Sequence, residues 1–225
     1  NELKVNPPTG ADLPNEFIEI KGTPSATLNS IYVISMDGNV GTDLGKAEHV
    51  FDLNGQTVGT NGLILIKSTT DGPTAAPGTT IFSSTALDVG STKGLENDTS
   101  SYLVIYSPTN PIVLGTDYDS NDDGVLDLPA GAVVLDAVGW RDGGVTDLVY
   151  GGVTLTQTNG TPDVATRFPD NDTAFSATAW YNGDLLFGSV DPTEIQYDIN
   201  PLFLSANFPA GGLLTPGDPN APKPG

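Results

Sequence analysis

The chain has 225 residues, 37% of them hydrophobic, and carries 28 acidic against 8 basic side chains for a formal net charge of −20. So negative a surface repels nucleic-acid phosphates and anionic headgroups, which excludes nucleic acid and polybasic membrane binding and leaves cations, neutral glycans and other proteins as partners. Cysteine is absent, so disulfides, thiolate metal sites and cysteine nucleophiles are excluded; no apolar run approaches the ~18 residues that cross a bilayer, so no membrane insertion is expected.

The sequence opens directly on "NELKV", which reads as a mature end left by removal of a secretory signal and points to a secreted or cell-surface protein. Strands are expected in chain order at "ELKV" (2–5), "EFIEI" (16–20), "SIYVISM" (30–36), "LILIKS" (63–68), "SYLVIYS" (101–107), "AVVLDAVGW" (132–140), "VTLTQT" (153–158) and "DLLFGS" (184–189). Each is rich in β-branched and aromatic residues and is fenced by turn formers such as "DGN", "LNGQ" and "SPTNP". No segment carries a sustained i, i+3, i+4, i+7 apolar pattern, so little helix is expected, with "TAFSATAWY" offering a turn or two. The class is all-β, with short strands joined by many turns.

Between the fifth and sixth expected strands lies "TDYDSNDDGVLD" (116–127), with five carboxylates in twelve residues. Asp119, Asn121, Asp123 and Gly124 fall at positions 1, 3, 5 and 6 of a D-x-[DN]-x-D-G calcium loop. Alternate residues of a tight loop aim oxygens at one point, and calcium takes about six to eight of them. Val125 would add its backbone carbonyl and Asp127 would follow at position 9, with Asp117 or a distant carboxylate such as Asp136 completing the shell. Position 12 is Ala130 and Pro129 precedes it, so no EF-hand glutamate or exiting helix follows. The competing reading is an acidic hairpin tip held by water and salt alone. The cofactor expected is Ca2+. "PDND" (169–172) and "GDP" around Asp218 read as turn formers instead. Asn97, Asn159 and Asn171 match the N-x-[ST] pattern, which is frequent by chance.

The N-terminal blocks "NELKVNPP", "EFIE" and "DAVGW" (136–140), together with "LNSIYVISMDGN" and "SSYLVIYSP" between them, resemble the lamin tail domain as it occurs in secreted bacterial proteins. The resemblance covers roughly the first 140 residues. It implies an immunoglobulin-like β-sandwich, here with long insertions around 70–100 and 108–130. The expected organisation is a sandwich over 1–142, a β extension over 143–208 packed on it, and a Pro/Gly-rich tail over 209–225. Such domains accompany nucleases, phosphatases and anchoring modules, so the resemblance implies little about activity.

With one histidine, His49, and no nucleophile or phosphate-loop motif, no enzymatic activity is expected. Trp140 closes an apolar strand and reads as core. Trp180 and Tyr181 precede a turn and are the candidates for an exposed aromatic platform that binds a glycan. The function expected is a calcium-rigidified structural or adhesive subunit of an extracellular assembly. It would self-associate through both termini, with "PAGGLLTPGDPNAPKPG" (209–225) and Leu3 and Val5 of "NELKV" lent to a neighbour. The alternative for the ends is that both fold back on their own sandwich. A calcium-dependent carbohydrate-binding module and an accessory domain of a secreted hydrolase are the other functions weighed.

Overall fold

A computed structural model describes residues 1–6, 15–91, 94–95, 98–156, 161–185, 204–209 and 214–220. Among the described residues it is nearly all-β, with helix limited to short 3-10 turns, and eleven strands form two mixed sheets. The first sheet contains β1 (Glu2–Lys4), β2 (Phe17–Lys21), β5 (Leu63–Ser68), β6 (Thr80–Ser84), β10 (Val164–Arg167) and β11 (Trp180–Gly183) in the order β11-β10-β1-β2-β5-β6. The second contains β3 (Ile31–Asp37), β4 (Ala47–Asp52), β7 (Ser100–Tyr106), β8 (Val133–Trp140) and β9 (Thr154–Leu155) in the order β4-β3-β7-β8-β9. Pairing is antiparallel except for β5 with β6 and β8 with β9.

The period-2 alternation of these strands sends one set of side chains between the sheets. Leu3, Ile18, Ile64 and Ile66 of the first sheet meet Val33, Phe51, Tyr102, Val138 and Trp140 of the second in one buried cluster, so the two sheets pack as the layers of a β-sandwich. The runs "LILI" and "YLVI" are apolar on both faces because both outer faces are covered as well. Tyr32, Ile34, Leu103 and Ile105 lie under Ile112, Tyr118, Leu126 and Leu128 of the long connection between β7 and β8. Phe17, Leu65 and Val164 lie under Phe168, Leu185, Phe208 and Leu214.

Four strands stand where none is expected from the sequence: β4, β6, β10 and β11. Strand β4, "AEHVFD", buries Ala47, His49 and Phe51, leaves Glu48 and Val50 half-buried on the other face and exposes Asp52, so its polar half hid a regular alternation. The segment "TAFSATAW" makes a single 3-10 turn over Ala177–Ala179 before β11 begins. Asp184 and Leu185 are not in a strand, and the rest of the expected "DLLFGS" strand, with residues 157 and 158, lies outside the described residues, as do Asn97 and Asn159. The expected turns at 169–172 and around Asp218 are present, closed by Asn171 N–H on the Phe168 carbonyl (3.1 Å) and Asp218 N–H on the Thr215 carbonyl (2.7 Å).

The described parts of both ends are held by their own chain. β1 is an interior strand, with Leu3 opposite Ile18 on one side and Ala165 on the other. The ribbon 214–220 lies across the same sheet. Thr215 N–H donates to Glu2 Oε2 at 2.9 Å, Gly217 N–H donates to Glu19, and Asn61 Nδ2 donates to the Gly217 carbonyl at 2.9 Å. Asn220 bonds Asn1 and the Arg167 carbonyl. Residues 210–213 and 221–225 of the tail lie outside the described residues.

Candidate functional site

The acidic loop 116–127 grows out of the layer that covers the second sheet. Tyr118, Leu126 and Leu128 anchor it in that layer, and Tyr118 N–H donates to the Gly45 carbonyl at 2.8 Å. Between these anchors the acids turn onto backbone donors. Asp119 is fully buried; its Oδ1 accepts from Asp123 N–H at 3.0 Å and its Oδ2 from Gly124 N–H at 2.9 Å. The Tyr150 hydroxyl, in the 3-10 turn Tyr150–Gly152, donates to the same Oδ2 at 3.0 Å. Burial, and that bond to the Asp119 carboxylate, push the Tyr150 hydroxyl well above the ordinary tyrosine range. Gly124 takes φ +81°, so the glycine placed at the turn by sequence supplies the left-handed residue needed there.

The remaining candidates surround this centre. Asp117 Oδ1 accepts from Asp119 N–H at 2.9 Å, Asp123 Oδ1 from Val125 N–H at 2.8 Å, and Asp127 Oδ2 from the Ser120 hydroxyl at 2.8 Å. The Asn121 amide donates to Asp123 Oδ2 at 3.0 Å. Asp117, Asp119, Asn121, Asp123, Val125 and Asp127 are therefore neighbours in one compact loop. The donor set is all oxygen, as a hard cation requires. Among the described residues, however, no group of three or more acidic or histidine side chains is gathered as a metal cage. The loop's turn is preformed and its carboxylates face backbone amides. Asp136 is not brought to it, because its oxygens accept from Arg167 and from the Ala137 and Phe175 N–H groups.

The aromatic platform expected at Trp180 and Tyr181 is corrected by burial. Trp180 is 4% and Tyr181 1% exposed. The Arg167 guanidinium covers the Trp180 ring at 4.5 Å, and Phe168 and Phe208 pack on Tyr181 with centroids 5.0 and 5.3 Å away. These rings close the sheet and present no open face to a sugar. Trp140 is buried in the inter-sheet core. His49 Nδ1 lies 2.8 Å from the Ser35 hydroxyl, and both residues are buried, so the pair ties β4 to β3.

Residues without a sequence signal complete the picture. Tyr150 seats the loop from 31 positions away. Glu2 and Glu19, read only as strand residues, are buried acceptors for the C-terminal ribbon. Burial raises Glu19 from the ordinary 4.5 to about 7, and burial with the nearby Glu19 charge raises Glu2 as well. A comparison with known proteins finds no matching family model, no matching curated protein and no matching solved structure.

Proposed function

We propose that the chain is a non-enzymatic structural or adhesive subunit of an extracellular surface assembly, built on an immunoglobulin-like sandwich of the lamin-tail kind and braced by calcium in the loop 116–127. The observation that carries this reading is the loop built round Asp119, with oxygen-bearing residues at alternate positions and Gly124 at the turn. When bound, calcium would draw Asp117, Asp123 and Asp127 from their backbone partners toward Asp119 and neutralise their mutual repulsion. Because the described parts of both ends dock on their own chain, self-association through them requires those contacts to be exchanged between copies.

The test is a calcium titration of the chelator-treated full chain, followed by thermal unfolding and native mass. Saturating calcium at about 100 times its dissociation constant should add about 2.7 kcal/mol of stability, and the native mass should rise with protein concentration. D123A with D127A should remove the calcium response and leave the metal-free stability nearly unchanged. No heat of binding and an unchanged melting temperature would refute the calcium brace; a chain monomeric at high concentration in calcium would refute the assembly.

A further inference from the structure

A cleft of about 440 Å³ is lined by residues of both sheets, within the ~300–1,000 Å³ range of small-molecule sites. Ile20 and Lys21 of β2 form one wall, Val104 of β7 and Leu135 and Asp136 of β8 the other, and Arg167 and Ala174 also line it. The apolar wall continues along β7 and β8 to Tyr106 and Val133, which sit opposite each other in the ladder and are both exposed.

Next to Ala174 stands Phe175. Its backbone has φ +55°, a left-handed conformation that a bulky side chain rarely takes. Its N–H is fastened to Asp136 Oδ1 at 2.9 Å, yet its side chain is 48% exposed. Burial therefore does not explain why an aromatic residue occupies this position. Strain of this kind, held in place by its surroundings, gathers at ligand sites.

The charged side chains that line the cleft come in opposite-charge pairs, Lys21 with Asp172 at 2.7 Å and Arg167 with Asp136, beside the polar Asn1 and Thr23. In a chain of net charge −20 this is a locally balanced patch, suited to a ligand without charge of its own. The Lys21–Asp172 pair is exposed on both sides, so it contributes little to the fold and is free to re-aim. Adjacent cationic donors and anionic acceptors match hydroxyl groups, which both donate and accept. A neighbouring wall of aromatic and aliphatic side chains matches the C–H face of a pyranose ring.

We infer that this cleft, with Phe175 at its rim, is a binding site for a neutral pyranose oligosaccharide. It is independent of the acidic loop and takes the place of the platform at Trp180 and Tyr181. The probes are cellohexaose, maltohexaose, mannohexaose and chitohexaose, titrated separately into the isotopically labelled full chain by NMR. At least one should bind with a dissociation constant of about 1 mM or tighter, shifting Lys21, Leu135, Tyr106 and Phe175 while leaving residues 116–127 unmoved. F175A should weaken binding about tenfold or more. F175G, which removes the ring and also suits the left-handed backbone, should keep the fold and lose the same affinity. The inference is overturned if none of the four shifts these residues at about 10 mM. It is likewise overturned if F175G binds as well as the parent, or if the same resonances respond to protein dilution in place of sugar, which would assign the face to a second copy of the chain.

Discussion

Asp119 shows how this protein tolerates a buried charge. Its carboxylate has no exposed surface and accepts three hydrogen bonds, two from backbone amides and one from the Tyr150 hydroxyl. Truncating it strands those donors, and each buried unsatisfied donor costs about 1–3 kcal/mol. D119A should therefore lower metal-free stability by roughly 3 kcal/mol, and Y150F, which leaves both amide bonds, by roughly 1 kcal/mol. D123A removes an exposed side chain and should stay within about 0.5 kcal/mol. Urea unfolding in chelator measures all three. Equal losses for D119A and D123A would show that the loop has no buried centre. Gly45 belongs to the same arrangement: at φ +80°, a Cβ there would stand 2.7 Å from Asp117 Oδ1, so a side chain would push Asp117 off the loop.

At the level of elements, the ribbon 214–220 is fixed by Glu2 and Glu19 of β1 and β2. The unfolded chain releases the Glu19 proton near 4.5 and the folded chain keeps it to about 7. Between these values the folded state holds the extra proton, so stability falls as pH rises through that window. The protonated carboxyl still accepts from Gly217, and it no longer repels Glu2. E19Q should flatten the decline in urea midpoint between about pH 5 and about pH 7.5; an identical slope in E19Q would remove Glu19 as its source. None of this was readable from "EFIEI", because alternation places Glu19 on a face without saying that a distant ribbon covers it. The strong strands β3, β5, β7 and β8 were legible because β-branched runs bounded by turns have few other uses. Strands β6 and β10 were not: "TIFSS" and "VATR" are short, and their strand character comes from pairing with β5, the preceding strand, and with β1, distant in sequence. The loop's residues were legible from spacing, but their engagement with amides was not, since spacing records the side chain and omits its backbone donors.

For the molecule as a whole, the acids act chiefly as fasteners for loops. Asp88 takes both Ser68 and Thr69, Glu16 takes Leu95 N–H, Asp147 takes Thr99, and Asp163 takes Leu185 N–H. A chain with 28 acids and 8 bases cannot pair its charges, so backbone amides and hydroxyls take the place of cations. Hydrogen bonds hold Asp88 and Asp142 below the ordinary 3.8, so their contribution is lost only as pH falls through their lowered values. With the opposite slope from Glu19, stability should peak on the acid side of neutrality. At neutral pH the unpaired charges repel one another. Raising salt from about 0.1 M to about 1 M shortens the screening length from about 10 Å to about 3 Å, and the melting temperature should rise with it. A fall would mean that the ion pairs of Lys21, Lys46 and Arg167 outweigh the repulsion.

The interior position of β1 has a kinetic consequence. Its Leu3 pairs with Ala165, and Asn1 meets Asn220, 219 positions away. Contacts of such long range form late and make folding slow. During synthesis β1 can pair with β2 early, but its other edge has no mate until β10 has emerged. Until then the nascent chain carries an unsatisfied strand edge, the feature most prone to mispair with another chain. A helper that shields that edge, or a translation rate that brings residues 164–167 out quickly, would decide how much of the product reaches the native state.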